Sequence, residues 1–413
     1  MGRVATPMLY HAYQAQVDWL SPLQRAAAAG AAMLQAGAPQ SPAVRLTASA
    51  WDVFSRLRLT HQRPSFGIDS VQRGDRLVQV REQVVLRQPF ASLLRLAADD
   101  PAAADEAPLP RVQIVAPLTG HFATLLADTV RTMLADHDVY ITDWHNAREV
   151  GLQHGRFGLD EYVQHVIHFI EHLGPRTHLL AVCQPCVPTL AAVALMAMQD
   201  HPAQPASMTL MAGPIDCRIN PTQVNELATS KPIDWFEQNL ISRVPLRYAG
   251  RMRRVYPGFL QLTAFMGMNP ERHRKAFTDL FEHLALGDLE SAARTCEFYD
   301  EYFAVNDLPA EFYLETVAEV FQNFALARGE LVVSGQRVDT HKIRRTALFT
   351  VEGERDDICA IGQTVAAHDL CGGIRPYMKS HHVQLGVGHY GVFSGRRWQQ
   401  QIYPRVREMI HAS

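Results

Sequence analysis

The stretch that decides the fold is Leu179-Leu-Ala-Val-Cys183-Gln-Pro-Cys186-Val-Pro-Thr-Leu-Ala-Ala-Val193. Four apolar residues lead into a cysteine, and a helix-compatible run leaves it. A nucleophile elbow needs this order of strand, tight turn and helix, because the turn lifts the reactive atom above the sheet edge. It also needs small residues two before and two after the nucleophile. Ala181 meets the first need, but Pro185 stands where glycine is usual. Proline is tolerated in a first helical turn, where N–H groups lack intrahelical acceptors, so Pro185 and Pro188 place the helix start near Gln184. Gln184 keeps its N–H and is the expected first oxyanion donor. The helix dipole favours an anion on Cys183.

The same residues admit other readings. Cys183-Gln-Pro-Cys186 is formally a Cys-x-x-Cys motif, compatible with a redox pair, half a zinc site or two buried thiols. The spacing of Cys359 and Cys371 does not supply a second zinc pair, and a thioredoxin-like motif belongs in a small domain rather than deep in 413 residues.

Outward from the elbow, apolar runs alternate with helical patterns. Strands are expected at Val112–Ala116, Val139–Thr142, Leu179–Val182 and Met208–Met211, with helices at Phe122–Leu134, Leu159–Leu173 and Leu190–Met198. Short buried runs alternating with helices predict a parallel sheet. Residues 217–340 carry helical patterns with almost no strand signal, and strands return at Thr346–Val351 and Val383–Val387. A mostly parallel sheet interrupted once by helices is the layout of an α/β-hydrolase with a cap or lid. Upstream, residues 7–60 read as helical, residues 77–90 as strands, and Asp99–Pro108 as a linker. The expected divisions are a helical extension (1–75), a first core part (76–216), the cap (217–340) and a second core part (341–413).

Acid and base follow from chain order. The first returning strand leads to Glu352-Gly-Glu-Arg-Asp356-Asp357, the last to Gly388-His389-Tyr-Gly391. Nucleophile, acid and histidine in that order match this fold. Asp356 is the expected acid, with Asp357 its neighbouring rival, and His389 the expected base. The second oxyanion donor is expected in the loop after the first core strand, at Leu118 N–H, while Gly120 and His121 turn the chain. His165, His168 and His172 share a helical face, read as solvated rather than as a metal site.

At these residues the sequence resembles bacterial intracellular poly(3-hydroxybutyrate) depolymerases. The resemblance runs through Met8-Leu-Tyr-His-Ala-Tyr13, Val115-Ala-Pro-Leu-Thr-Gly-His-Phe-Ala-Thr124 and Val182-Cys-Gln-Pro-Cys-Val-Pro188. It continues in Tyr299–Tyr313, Val351–Ile358 and Gly388–Gly395. It implies hydrolysis of amorphous storage polyester on granules, with Cys183, Asp356 and His389 as triad. Polyester synthases, which share the cysteine elbow, are the nearest rival: they pass the acyl group to coenzyme A or a growing chain. A non-catalytic granule protein on the same scaffold is another.

Composition narrows the partners. A formal charge of −3 offers no grip on nucleic acid or an anionic membrane. Six cysteines in so long a chain do not form a disulfide framework. The opening Met1–Met8 lacks the apolar core of a signal peptide, and no window has the ~18 consecutive apolar residues of a membrane span. The expected partners are poly(3-hydroxybutyrate) chains or oligomers and the granule surface, in the cytoplasm. No metal and no cofactor are expected; a homo-oligomer is compatible with the sequence.

Overall fold

A computed structural model describes residues 6–36, 41–99 and 107–413. Most of the expected linker lies outside these residues. The chain opens with a helical hairpin, α1 (Thr6–Ala36) and α2 (Pro42–Arg56). The Ser41 hydroxyl caps α2 by accepting the Val44 N–H, and Pro42 occupies its first position.

Strands β1 (Ser70–Arg73), β2 (Arg76–Arg87) and β3 (Ala91–Asp99) form an antiparallel meander at one edge of a nine-stranded sheet. The expected boundary at 75/76 therefore falls in the turn of the β1–β2 hairpin. Next come β4 (Arg111–Val115), β5 (Asp138–Trp144), β6 (His178–Val182) and β7 (Ser207–Met211), with α3 (Ala127–Met133), α4 (Leu159–Leu173) and α5 (Cys186–Met198) between them. The sheet order from β3 onward is β5, β4, β6, β7 and then two strands from near the chain's end, all parallel.

Strand β6 is buried at all five positions, as a central strand between two helical layers must be. Leu179 and Ala181 pack on one face with Tyr162, Val166 and Leu190, and Leu180 and Val182 on the other with Val130, Trp398 and Val406. At about 1.5–3 kcal/mol for each fully buried aliphatic side chain, this two-sided burial fixes the strand's register.

Between β7 and the returning sheet the chain leaves the core. Helices α6 (Gln223–Thr229) and α7 (Ile233–Leu240) precede two tiny strands, β8 (Ser242–Arg243) and β9 (Arg254–Tyr256). Helices α8 (Gly258–Met268), α9 (Pro270–Leu286) and α10 (Leu289–Tyr302) follow, then β10 (Leu308–Pro309) and α11 (Ala310–Glu315). A π-helical turn over Thr316–Gln322 and the hairpin β11 (Val332–Val333) and β12 (Gln336–Arg337) end the block. The three-stranded β10–β9–β8 sheet had no sequence signal, because strands of two or three residues show no alternation.

The core resumes with β13 (Ala347–Gly353) and β14 (Lys379–Gln384). The last strand lies several residues before the expected Val383–Val387. Its residues Lys379-Ser-His-His-Val-Gln are polar because it is the edge strand, paired only with β13, whereas Leu385–Val387 form the turn that follows.

The N-terminal hairpin is tied to the cap. The Tyr10 hydroxyl donates to the Asp307 carboxylate, which also accepts the Gly258 N–H at 2.8 Å. Burial pushes the Asp307 pKa up, against the pull of those two donors. Val53 of α2 packs on Leu280 and Ala292 of the α9–α10 pair.

Candidate active site

Cys183 sits at the tip of β6 with φ 67°, a left-handed backbone in a residue with a β-carbon. Such strain persists only where its surroundings hold it. Here the Cys183 N–H donates to Met211 O at 2.8 Å and the Cys183 carbonyl accepts the Cys186 N–H at 3.1 Å. Pro185 (φ −66°) is the N-cap of α5, which begins at Cys186, so both prolines fall at or inside the first turn. Gly213 passes so close that a Cβ there would lie 2.2 Å from Cys186 Cβ.

The two cysteines have different surroundings. Cys183 is partly exposed, whereas Cys186 is fully buried with its thiol directed at Ala181 O (3.4 Å) and Met211 O (3.6 Å). Burial raises the Cys186 pKa well above its usual value, and the nearby Cys183 adds to that. A thiol so held is a poor exchange partner, which disfavours the redox-pair reading.

Asp356 lies in the loop after β13, and His389 opens a short 3₁₀ turn after β14. The Asp356 carboxylate takes the Ile358 and Cys359 N–H groups on Oδ1 (2.9 and 2.8 Å), while Oδ2 accepts from His389 Nδ1 at 2.8 Å. Asp357 is exposed, and the imidazole's carboxylate partner is Asp356 rather than Asp357. Burial alone would lower the His389 pKa. The Asp356 carboxylate and then the Cys183 sulfur, both charge and hydrogen bond, reverse this and hold it well above the usual value. The imidazole thus bridges Asp356 and Cys183.

The acid loop has its own anchor. Glu352 is fully buried at the end of β13, and its carboxylate accepts N–H groups from Gly362, Thr364 (2.8 Å) and Val365 (2.9 Å). Removing it leaves three donors buried and unpaired. Glu352→Ala should therefore lose about 3–5 kcal/mol, measured by denaturant unfolding.

The loop after β4 is held by Ala116, whose carbonyl accepts from Trp144 Nε1 (2.7 Å) and the Tyr162 hydroxyl (3.2 Å). This sets Leu118 beside the elbow, with its N–H donating to Gln184 Oε1 at 3.3 Å. Among the described residues no protein acceptor takes the Gln184 N–H. The Leu118 N–H is thus beside the elbow but taken by the Gln184 carboxamide, which must turn away before that N–H can serve an oxyanion. Gly120 (φ 92°) makes the turn, and buried His121 bonds Tyr302 O at 3.2 Å and stacks on the Tyr302 ring. Burial brings its pKa down to about 4, so it is a neutral tie between core and cap.

The histidine trio does not form one solvated face. His168 and His172 are exposed, but His165 turns inward, bonded to Glu161 O at 2.7 Å and packed on Phe157 and Phe169.

Two cavities meet at this point. One, of about 420 Å³, touches Cys183, Leu118 and Gln184 and is walled by cap residues including Phe236, Phe312 and Phe321. The other, of about 390 Å³, touches His389 and Tyr390. Phe265, Met268 and Ile358 line both. The π turn supplies Thr316, Val317 and Phe321 to the first, a wall that sequence reasoning had not found.

A mostly parallel sheet with one reversal of strand order, a strained residue at the tip of a central strand, and an aspartate and histidine following the last two strands make this an α/β-hydrolase. Residues 212–413, just under half of the chain, match the family described as PHB de-polymerase C-terminus. Similar solved structures include a putative lipase from Acinetobacter baumannii AYE (14% identity, 81% of this chain and 93% of that chain, TM-score 0.44). A putative aryl esterase from Burkholderia cenocepacia is 13% identical over 80% of this chain and 100% of its own (TM-score 0.44). A 2-hydroxy-6-oxo-6-phenylhexa-2,4-dienoate hydrolase from Rhodococcus sp. strain RHA1 is 12% identical over 81% and 99% (TM-score 0.41). None of the curated proteins matches the sequence. Among the described residues no helix is long and apolar enough to cross a membrane.

Proposed function

We propose that the chain hydrolyses ester bonds of poly(3-hydroxybutyrate) through Cys183, His389 and Asp356. The observation that carries this reading is the Asp356–His389–Cys183 chain of contacts opening into an apolar cavity without a charged wall. A polyester chain carries no charge along its length, so its recognition rests on such a surface.

Cys183 Sγ attacks the ester carbonyl, the S–C bond forms, and the oxyanion meets the Gln184 N–H and, once the carboxamide turns, the Leu118 N–H. His389 gives its proton to the leaving alkoxide as the C–O bond breaks. Water, deprotonated by the same imidazole, then cleaves the thioester and frees Cys183. Asp356 holds the Nδ1 tautomer and the imidazolium charge. Granule attachment draws support from exposed apolar side chains of the N-terminal hairpin, among them Trp19, Leu23 and Trp51.

Incubation with amorphous poly(3-hydroxybutyrate) granules, with and without coenzyme A, tests this function. Free 3-hydroxy acids or short oligomers are expected. Acyl-CoA formed only with added CoA would move the chemistry to acyl transfer, and no product in either case would leave a non-catalytic granule protein.

The pH profile follows from His389. Its raised pKa keeps the imidazolium, the acid for the leaving group, above the usual histidine range. The alkaline limb of kcat/KM should therefore lie above pH ~6.5. The sign for stability agrees: a raised folded-state pKa stabilises the fold below the unfolded value and loses that contribution as pH rises through the folded value.

A further inference from the structure

The two cavities that meet between Cys183 and His389 differ in charge. The wall of the Cys183 cavity includes no aspartate, glutamate, lysine or arginine. The His389 cavity is lined by Arg272, Arg355 and Asp357. Arg355 lies 4.0 Å from Glu354, whereas Arg272 has no acidic partner among the described residues. The Arg272 charge reaches Tyr302 and Tyr390, where it opposes the pKa rise that burial imposes. His273, also on this wall, is held toward the neutral form mainly by burial.

Chemistry assigns the two sides. The acyl half of the ester becomes bonded to Cys183 and must lie in the cavity that touches the sulfur and the oxyanion donors. The alcohol half must lie beside the group that protonates it, which is His389. In a polyester of hydroxy acids the two halves are not alike. The acyl half runs toward the hydroxyl end, which is neutral, and the alcohol half runs toward the carboxyl end, which is an anion.

From this match we infer that the polyester lies across the site in one direction, with its carboxyl-terminal end in the His389 cavity under Arg272. The assignment rests on the polyester reading of the site and adds direction to it. It makes Arg272 a specificity-determining residue for chains whose free carboxylate lies within its reach. The enzyme then removes short 3-hydroxy acids or oligomers from the carboxyl end, the hydroxyl-terminal remainder passing through the thioester. Asp357 on the same wall weakens the grip and sets its limit.

The test uses the full-length protein and linear trimers of 3-hydroxybutyrate in three forms: free acid, carboxyl methyl ester and hydroxyl-acetylated. Wild type should show a KM about three- to tenfold higher for the methyl ester than for the free acid, the range expected of one partly exposed ion pair. Acetylation of the hydroxyl end should change KM much less. In Arg272→Gln the ratio of the two KM values should fall toward one, and in Asp357→Asn it should widen. Raising salt should shrink it in wild type, because Arg272 is exposed. Equal KM values for acid and methyl ester in wild type, or discrimination undiminished in Arg272→Gln, would overturn the assignment. A larger loss from acetylating the hydroxyl end would reverse the direction. If none of the trimers is cleaved while a small aryl ester still is, the polyester reading itself fails.

Discussion

Cys183→Ala should lower ester turnover about 10⁴-fold or more while the protein stays folded, and Cys186→Ala should keep turnover within about threefold of wild type. The first magnitude is that of removing a nucleophile whose partners cannot act without it. The second follows from position. Cys186 lies under the elbow with its thiol on the Ala181 and Met211 carbonyls, fully buried and out of both cavities. Its loss leaves a small void beside Gly213, costing about 1 kcal/mol of stability. Cys183→Ser is more demanding, because a hydroxyl gives up its proton far less readily than a thiol, and weak turnover is expected. A redox or metal pair forecasts otherwise, since each cysteine alone would be useless. Equal losses in the two alanine variants, with circular dichroism unchanged, would remove the elbow reading.

Asp356→Asn should lower kcat by about 10²–10⁴-fold, and Asp357→Asn should leave kcat near wild type. An asparagine can still accept from Ile358 and Cys359, so the loop keeps its shape. What it loses is the charge opposite His389, which is the main influence raising that imidazole against burial. The alkaline limb of kcat/KM should therefore also move to lower pH in Asp356→Asn, a displacement that a purely structural role would not produce. His389 bonds Asp356 and not Asp357, so loss of kcat in Asp357→Asn with Asp356→Asn active would shift the acid by one residue.

The parts of this site that were legible in the sequence share one property: they are local. The run Leu179–Val182 announced a buried strand, and the prolines after Cys183 announced where α5 begins, because proline's missing N–H leaves it few places to stand. Asp356 and His389 could be read because each follows a strand in the order this fold requires. The last strand was displaced because an edge strand with one neighbour does not need apolar residues, and Lys379–Gln384 has few. Long-range geometry was not legible. Nothing in the sequence shows that the Gln184 carboxamide reaches Leu118, that Tyr10 donates to Asp307 across 297 residues, or that a π turn at Thr316–Gln322 walls the cavity. Nor could residues 217–340 reveal that Phe265 and Met268 stand between two cavities of different charge.

The most direct measurement of the central claim is a search for the acyl-enzyme. The protein is mixed with an excess of a 3-hydroxybutyrate oligomer, quenched in acid within the first turnovers, digested, and the peptide spanning Val182–Pro188 fragmented in a mass spectrometer. A single acyl group of one or more 3-hydroxybutyrate units on Cys183, absent from Cys186 and lost on treatment with hydroxylamine, is the predicted result. Steady ester cleavage with the acyl group on another residue, or cleavage that persists undiminished in Cys183→Ala, would contradict it.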